Sequence, residues 1–120
     1  MKKVLIVDDS SYMRMFLRKI IEKDGLCITL EASTKEEAIE MFKNEKPDVV
    51  TVDLNMSEFR MDGVSVLNEI MEINPEAAVI IISAVGYEHV KDECMALGAK
   101  GYLKKPFDAK ELLNIFEECK

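Results

Sequence analysis

The tightest constraint on this chain is an alternation. Short apolar runs, most of them rich in β-branched residues, recur at Val4–Val7, Val49–Asp53 and Ala78–Ser83, and Ile28–Ala32, which alternates weakly, and the short Gly101–Lys104 also read as strands. Between and after them, apolar residues fall at helical spacing. A continuously apolar run of this length reads as a strand buried on both faces. Strand followed by helix, five times over, implies a parallel sheet with helices on both sides. The expected fold is α/β, a flavodoxin-like (βα)5 three-layer sandwich with strand order 2-1-3-4-5. At 120 residues the chain is expected to form one domain, 1–120, with no linker or repeat beyond the βα unit.

The helical stretches carry their own boundaries. Ser10 is placed to cap a helix with Met13, Phe16, Leu17, Ile20 and Ile21 inward, and Gly25 is its expected stop. Thr34-Lys35-Glu36-Glu37 is a capping box ahead of Ala38, Ile39, Met41 and Phe42. Lys46-Pro47-Asp48 is a turn. Leu54 to Asp62 has no strong period and is expected to be a loop. Val64, Leu67, Ile70 and Met71 mark a third helix closed before Asn74-Pro75. A fourth helix is expected over Tyr87–Leu97, ended by Gly98. Asp108 and Glu111 form another box ahead of Leu112, Leu113, Ile115 and Phe116.

Composition excludes some roles. A net charge of −7 argues against a nucleic-acid backbone or an anionic membrane surface as partner. No apolar run approaches the roughly 18–20 residues needed to span a bilayer. The four apolar residues after Lys2-Lys3 are too few for a signal core. The expected location is the cytoplasm. Cys27, Cys94 and Cys119 are widely spaced with no C-x-x-C, as suits reduced thiols. The methionines read mainly as core filler, and His89 as a solvated residue.

Chemistry concentrates at the carboxyl ends of the strands, where open α/β sheets bind ligands. The first run ends in Asp8 and Asp9, the third in Asp53, the fourth in Ser83, the fifth in Lys104, Lys105 and Pro106. Strands 1 and 3 are neighbours in the expected order, so three carboxylates converge. Like charges that close raise one another's pKa unless a cation lies among them. An all-oxygen site completed by water suits Mg²⁺, and no histidine or cysteine lies there to suit zinc. Lysine and a hydroxyl beside these acids look like a cradle for a phosphoryl group, and aspartate is a known covalent phosphoryl acceptor.

These residues resemble the receiver domain of two-component response regulators over essentially the whole chain. The matching features are Asp8-Asp9, Asp53, Ser83-Ala84 and Lys105-Pro106, in order and each at an expected strand end. Asp9-Ser10-Ser11-Tyr12-Met13-Arg14 is most similar to the CheY-like chemotaxis branch, including its archaeal forms. The resemblance implies that Asp53 accepts phosphate from a CheA-like histidine kinase. It implies that Asp9, Asp53 and the backbone carbonyl of Asn55 bind Mg²⁺ (Mn²⁺ as a possible substitute), with Asp8 assisting through water. Ser83 and Lys105 would contact phosphoryl oxygens, and the Lys105–Pro106 bond would be cis. Tyr102 would be an aromatic switch that turns inward when Ser83 moves toward the phosphate.

The chain departs from the family pattern after Asp53. Position +4 is Ser57 where the family has proline, and the glycine is Gly63, ten residues after Asp53 and not eight. The loop Asn55–Asp62 is therefore expected to be two residues longer. Val85, two after Ser83, cannot orient an attacking water, so unusually fast hydrolysis is not expected. No output domain is expected after the last helix, and the resemblance then implies signalling through a surface that includes Val90 and Tyr102. The implied role is a stand-alone monomeric regulator that relays chemotaxis signals to a motor switch or motor-adaptor protein, with no nucleic acid or membrane as partner. It would catalyse its own phosphotransfer and dephosphorylation without turning over a separate substrate. A phosphorelay intermediate passing phosphate to a histidine phosphotransfer protein is the alternative. A haloacid-dehalogenase-type phosphatase would place D-x-D after its first strand, and a flavodoxin would carry a phosphate loop there; the chain has neither.

Overall fold

The computed structural model describes residues 2–23, 25–54, 61–84 and 90–118. Strand and helix alternate throughout: β1 (Lys2–Val7), α1 (Ser11–Ile21), β2 (Cys27–Ala32), α2 (Lys35–Glu45), β3 (Val49–Asp53), α3 (Met61–Ile73), β4 (Ala78–Ser83), α4 (Lys91–Leu97), β5 (Gly101–Lys104) and α5 (Ala109–Glu118). The five strands form one parallel sheet in the order β2-β1-β3-β4-β5, as the alternation implied.

The continuous apolar runs have a simple origin. Successive side chains of a strand point to opposite faces, and both faces here are covered. Val4, Ile6, Ile80, Ile82 and Leu103 pack with Leu17 and Ile21 of α1 and Leu112 of α5. The alternate residues Leu5, Val7, Val50, Val52, Val79 and Ile81 pack with Ala38 and Phe42 of α2, Leu67 and Ile70 of α3, and Cys94 of α4. Every residue of β3 and β4 is buried. Burial also pushes the Cys94 thiol up to about 11, so it is a packing residue and not a nucleophile.

The helix boundaries follow the sequence signals with instructive exceptions. Ser10 Oγ accepts the Met13 N–H at 3.2 Å and caps α1. That helix ends at Ile21; Gly25 lies beyond it at φ 76° and closes the turn toward β2 through its N–H to the Glu22 carbonyl, 3.0 Å. Thr34 Oγ1 accepts the Glu37 N–H at 3.2 Å, but the Glu37 carboxylate reaches past Thr34 to the N–H and hydroxyl of Ser33, 3.0 and 2.7 Å. α2 stops on Lys46 in the left-handed region, φ 49°. Pro47 follows it and disfavours the right-handed helical conformation there. Asp108 Oδ1 accepts the Glu111 N–H at 2.9 Å at the start of α5.

One expected boundary is corrected. Met61 and Asp62, expected at the end of the loop Leu54–Asp62, already belong to α3. Gly63 lies in the first turn of that helix, where a Cβ would come within 2.8 Å of the Asp53 carbonyl oxygen and of Leu54 Cα. Only a glycine lets the first turn of α3 lie directly on the backbone of Asp53 and Leu54. Asn55, Ser57 and the rest of the segment 55–60, together with Val85, His89 and the expected first turn of the fourth helix, lie outside the described residues. Among the described residues, no helix is long and apolar enough to cross a membrane.

Candidate functional site at the carboxyl edge of the sheet

Sheet register assembles the site. Val7 pairs with Val52, which carries Asp8 alongside Asp53 one step further. Asp53 pairs with Ile82 on its other side, so Ser83 is also one step beyond. The Lys105 N–H donates to the Ser83 carbonyl at 2.7 Å, extending the β4–β5 pairing to the lysine. Asp8 continues the pairing toward β2, its N–H donating to the Ala32 carbonyl at 3.0 Å. Asp8, Asp53 and Ser83 are all buried, at 1%, 4% and 0% exposure. Three polar side chains this deeply buried at one edge need partners.

Lys105 supplies part of the answer. Its Nζ lies 3.0 Å from Asp53 Oδ2, reaching inward from a half-exposed position. The Lys105–Pro106 peptide is cis, as the family resemblance implied. Ser83 Oγ donates to the neighbouring Ala84 carbonyl at 3.2 Å, a weak local bond that leaves the hydroxyl able to turn toward an incoming group. Asp8 Oδ1 accepts the Ser10 N–H at 2.9 Å, but Asp8 Oδ2 is buried and, among the described residues, receives no hydrogen bond. Burial foremost, then the charge of Asp53, pushes the Asp8 carboxyl up to about 7; the Ser10 N–H and Lys105 pull the other way.

An orphaned carboxylate oxygen beside a second buried carboxylate is what a divalent cation would relieve. The donors are all oxygen, which fits Mg²⁺ or Mn²⁺. The structure brings together Asp8 and Asp53, while Asp9 is exposed at the mouth of the site. Among the described residues, no three His, Cys, Asp or Glu side chains close into a ready cage. A cation here would therefore keep several waters, as Mg²⁺ commonly does. The remaining expected ligand, the Asn55 carbonyl, lies outside the described residues. Tyr102 and Val90 sit one layer away, both half-buried against the core under α2, α3 and α4. Lys91 Nζ stands 5.6 Å from the Tyr102 ring centroid.

The response regulator receiver domain model matches residues 4–117. The chain belongs to the response regulator receiver family. Among similar curated proteins is the chemotaxis protein CheY of Thermotoga maritima, 43% identical over 94% of this chain and 92% of that one. The CheY of Bacillus subtilis is 39% identical over 93% and 92%. A solved response regulator receiver domain protein from Clostridium thermocellum superposes with a TM-score of 0.88 at 33% identity, covering 99% of this chain and 94% of the other.

One element of this receiver site was not singled out from the sequence. Arg14 Nη1 donates to the Asp8 carbonyl oxygen at 2.7 Å, and its Nε donates to Glu31 Oε1 at 2.9 Å. The available signal was positional: an arginine one turn past the Ser10 cap, and a glutamate near the end of the strand that pairs with β1.

Proposed function

We propose that the chain is a phosphorylatable response regulator whose acceptor is Asp53. The observation that carries this reading is the contact of Lys105 with the buried Asp53 carboxylate, beside Asp8 and within the same strand-end row as Ser83. In the reaction a carboxylate oxygen of Asp53 attacks the phosphorus of a phosphohistidine on a CheA-like kinase. The P–N bond breaks, a P–O bond forms, and the imidazole leaves. Lys105 passes from Asp53 to a phosphoryl oxygen, and the Ser83 hydroxyl turns from the Ala84 carbonyl to another. Mg²⁺ held by Asp8, Asp9, Asp53 and the Asn55 carbonyl would supply compensating positive charge to the transferring group. Positioning and electrostatics carry most of such a transfer.

The aspartyl phosphate then biases a two-state equilibrium. Ser83 is drawn toward the phosphate, and Tyr102 follows and alters the surface that includes Val90. The similarity to proteins named CheY supports chemotaxis as the pathway and a motor switch or adaptor protein as the target. The decisive test is phosphorylation with acetyl phosphate and Mg²⁺, comparing the parent with Asp53→Asn. Phosphate is expected on the parent only; incorporation that survives the substitution would sink the assignment. Phosphate-dependent binding to a purified motor switch protein is expected next. Transfer of the label to a histidine phosphotransfer protein, without such binding, would select a relay in its place.

A further inference from the structure

The geometry points to Arg14 as a positioning residue for the metal-binding carboxylates: its guanidinium, held by Glu31, fixes the Asp8–Asp9 peptide and so aims both acids. This inference rests on the metal site proposed above. Arg14 contributes twice to the same turn. Its backbone N–H donates to the Ser10 carbonyl at 3.0 Å, and its Nη1 donates to the Asp8 carbonyl at 2.7 Å. Ser10 in turn holds Asp8 Oδ1 through its N–H at 2.9 Å and caps α1 through its hydroxyl. The backbone of Asp9 thus lies between two clamped points, the Asp8 carbonyl and the Ser10 N–H. The Asp9 side chain is exposed where that of Asp8 is buried, and the course of the backbone sets the direction in which its carboxylate leaves the chain.

The partner of Arg14 matters as much as its bond to Asp8. An uncompensated guanidinium beside the carboxylates would repel a dication. Glu31 Oε1 takes the Arg14 Nε at 2.9 Å, with Arg14 17% and Glu31 33% exposed, so the bond to Asp8 is kept while the charge is neutralised locally. A bond from a charged donor to a backbone carbonyl is short and directional. The rigid fork of arginine reaches two acceptors at once, which a lysine ammonium on a flexible stem does not reproduce. Arg18, one turn on, pairs with Glu22 and Glu31 at 3.2 and 3.4 Å and has no bond to Asp8. It is the built-in control.

The test is Mn²⁺ binding by the purified chain, read from the disappearance of the free-ion paramagnetic resonance signal, with urea unfolding of each variant alongside. Arg14→Ala is expected to weaken Mn²⁺ binding at least about tenfold, the usual scale for partners that orient metal ligands. Arg14→Lys restores the urea midpoint but not the affinity. Glu31→Gln weakens binding only while Arg14 is present, and Arg18→Ala leaves the affinity within about twofold of the parent. Should Arg14→Ala not fold, Arg14→Lys and Glu31→Gln decide the matter on the same expectations. Parent binding with unchanged affinity in the Arg14 variants, or equal losses for Arg14→Ala and Arg18→Ala, overturns the role of Arg14 alone. A parent that binds no Mn²⁺ overturns the metal site itself and this role with it.

Discussion

Replacing Asp8 with asparagine should stabilise the metal-free protein at neutral and alkaline pH. Asp8 Oδ2 is buried without a donor among the described residues, and burial and the charge of Asp53 hold the carboxyl near 7. The unfolded chain releases this proton near pH 4, and the folded chain keeps it until about pH 7. Between those values the unfolded state binds fewer protons, so this group makes stability fall as pH rises; above about 7 its penalty is constant. Three pH units of retained proton correspond to a ceiling of about 4 kcal/mol. The replacement amide is itself a poorly satisfied buried group and costs about 1–2 kcal/mol. The net gain expected at pH 8 is therefore about 2 kcal/mol, a rise in Tm of roughly 6–10 °C for a domain of this size.

The assay is urea unfolding of parent and Asp8→Asn in EDTA, from pH 4 to pH 8. The variant should hold no advantage at pH 4, where the unfolded chain is only beginning to release the proton, and gain steadily up to about pH 7. Carboxylates held below their ordinary range, such as Glu22 bound by the Thr29 hydroxyl, slope the other way in both proteins and cancel in the difference. Adding Mg²⁺ should stabilise the parent by about 2.7 kcal/mol at a hundredfold excess over its dissociation constant, and the variant much less. A difference between the two proteins that is flat with pH, or a variant less stable than the parent at pH 8, would refute the reasoning.

Two other perturbations probe the layer beneath the site. Gly63→Ala sets a methyl 2.8 Å from the Asp53 carbonyl oxygen and Leu54 Cα, so α3 must shift from the acceptor strand. A net loss of about 1–2 kcal/mol is expected after the gain in helix propensity, with slower phosphorylation from acetyl phosphate; an unchanged urea midpoint would show that the contact is slack. Thr51 Oγ1 is buried in the middle of β3 with no hydrogen-bond partner among the described residues. Thr51→Val should stabilise by about 1 kcal/mol in urea, and a loss of stability would reveal a partner for the hydroxyl.

The chemistry-bearing residues were legible because they interrupt a pattern. Asp8, Asp53 and Ser83 each follow a largely apolar run, and a strand end in a sheet covered on both faces places a polar group there. The βα alternation likewise implied the parallel sheet, and Ser10, Thr34 and Asp108 marked helix starts through local bonds that span three residues. What local signals could not show was set by long-range contacts. The first turn of α3 lies against a strand end ten residues earlier at Gly63, and sequence periodicity carries no such information. The ranking of the two acids after β1 was also tertiary. The family resemblance implied different roles for Asp8 and Asp9 but not their surroundings: packing buries Asp8 beside Asp53 and leaves Asp9 at the mouth.

Arg14 shows the limit most clearly. Its link to Glu31 spans 17 positions and joins α1 to β2, and its bond to Asp8 exists only because helix and strand meet at one edge. By itself the sequence determined which side chains stand at the carboxyl edge, because burial of apolar runs is written residue by residue. The tertiary structure alone decided which carboxylate is desolvated, which is aimed outward and what holds them, because these depend on distances between segments far apart in the chain.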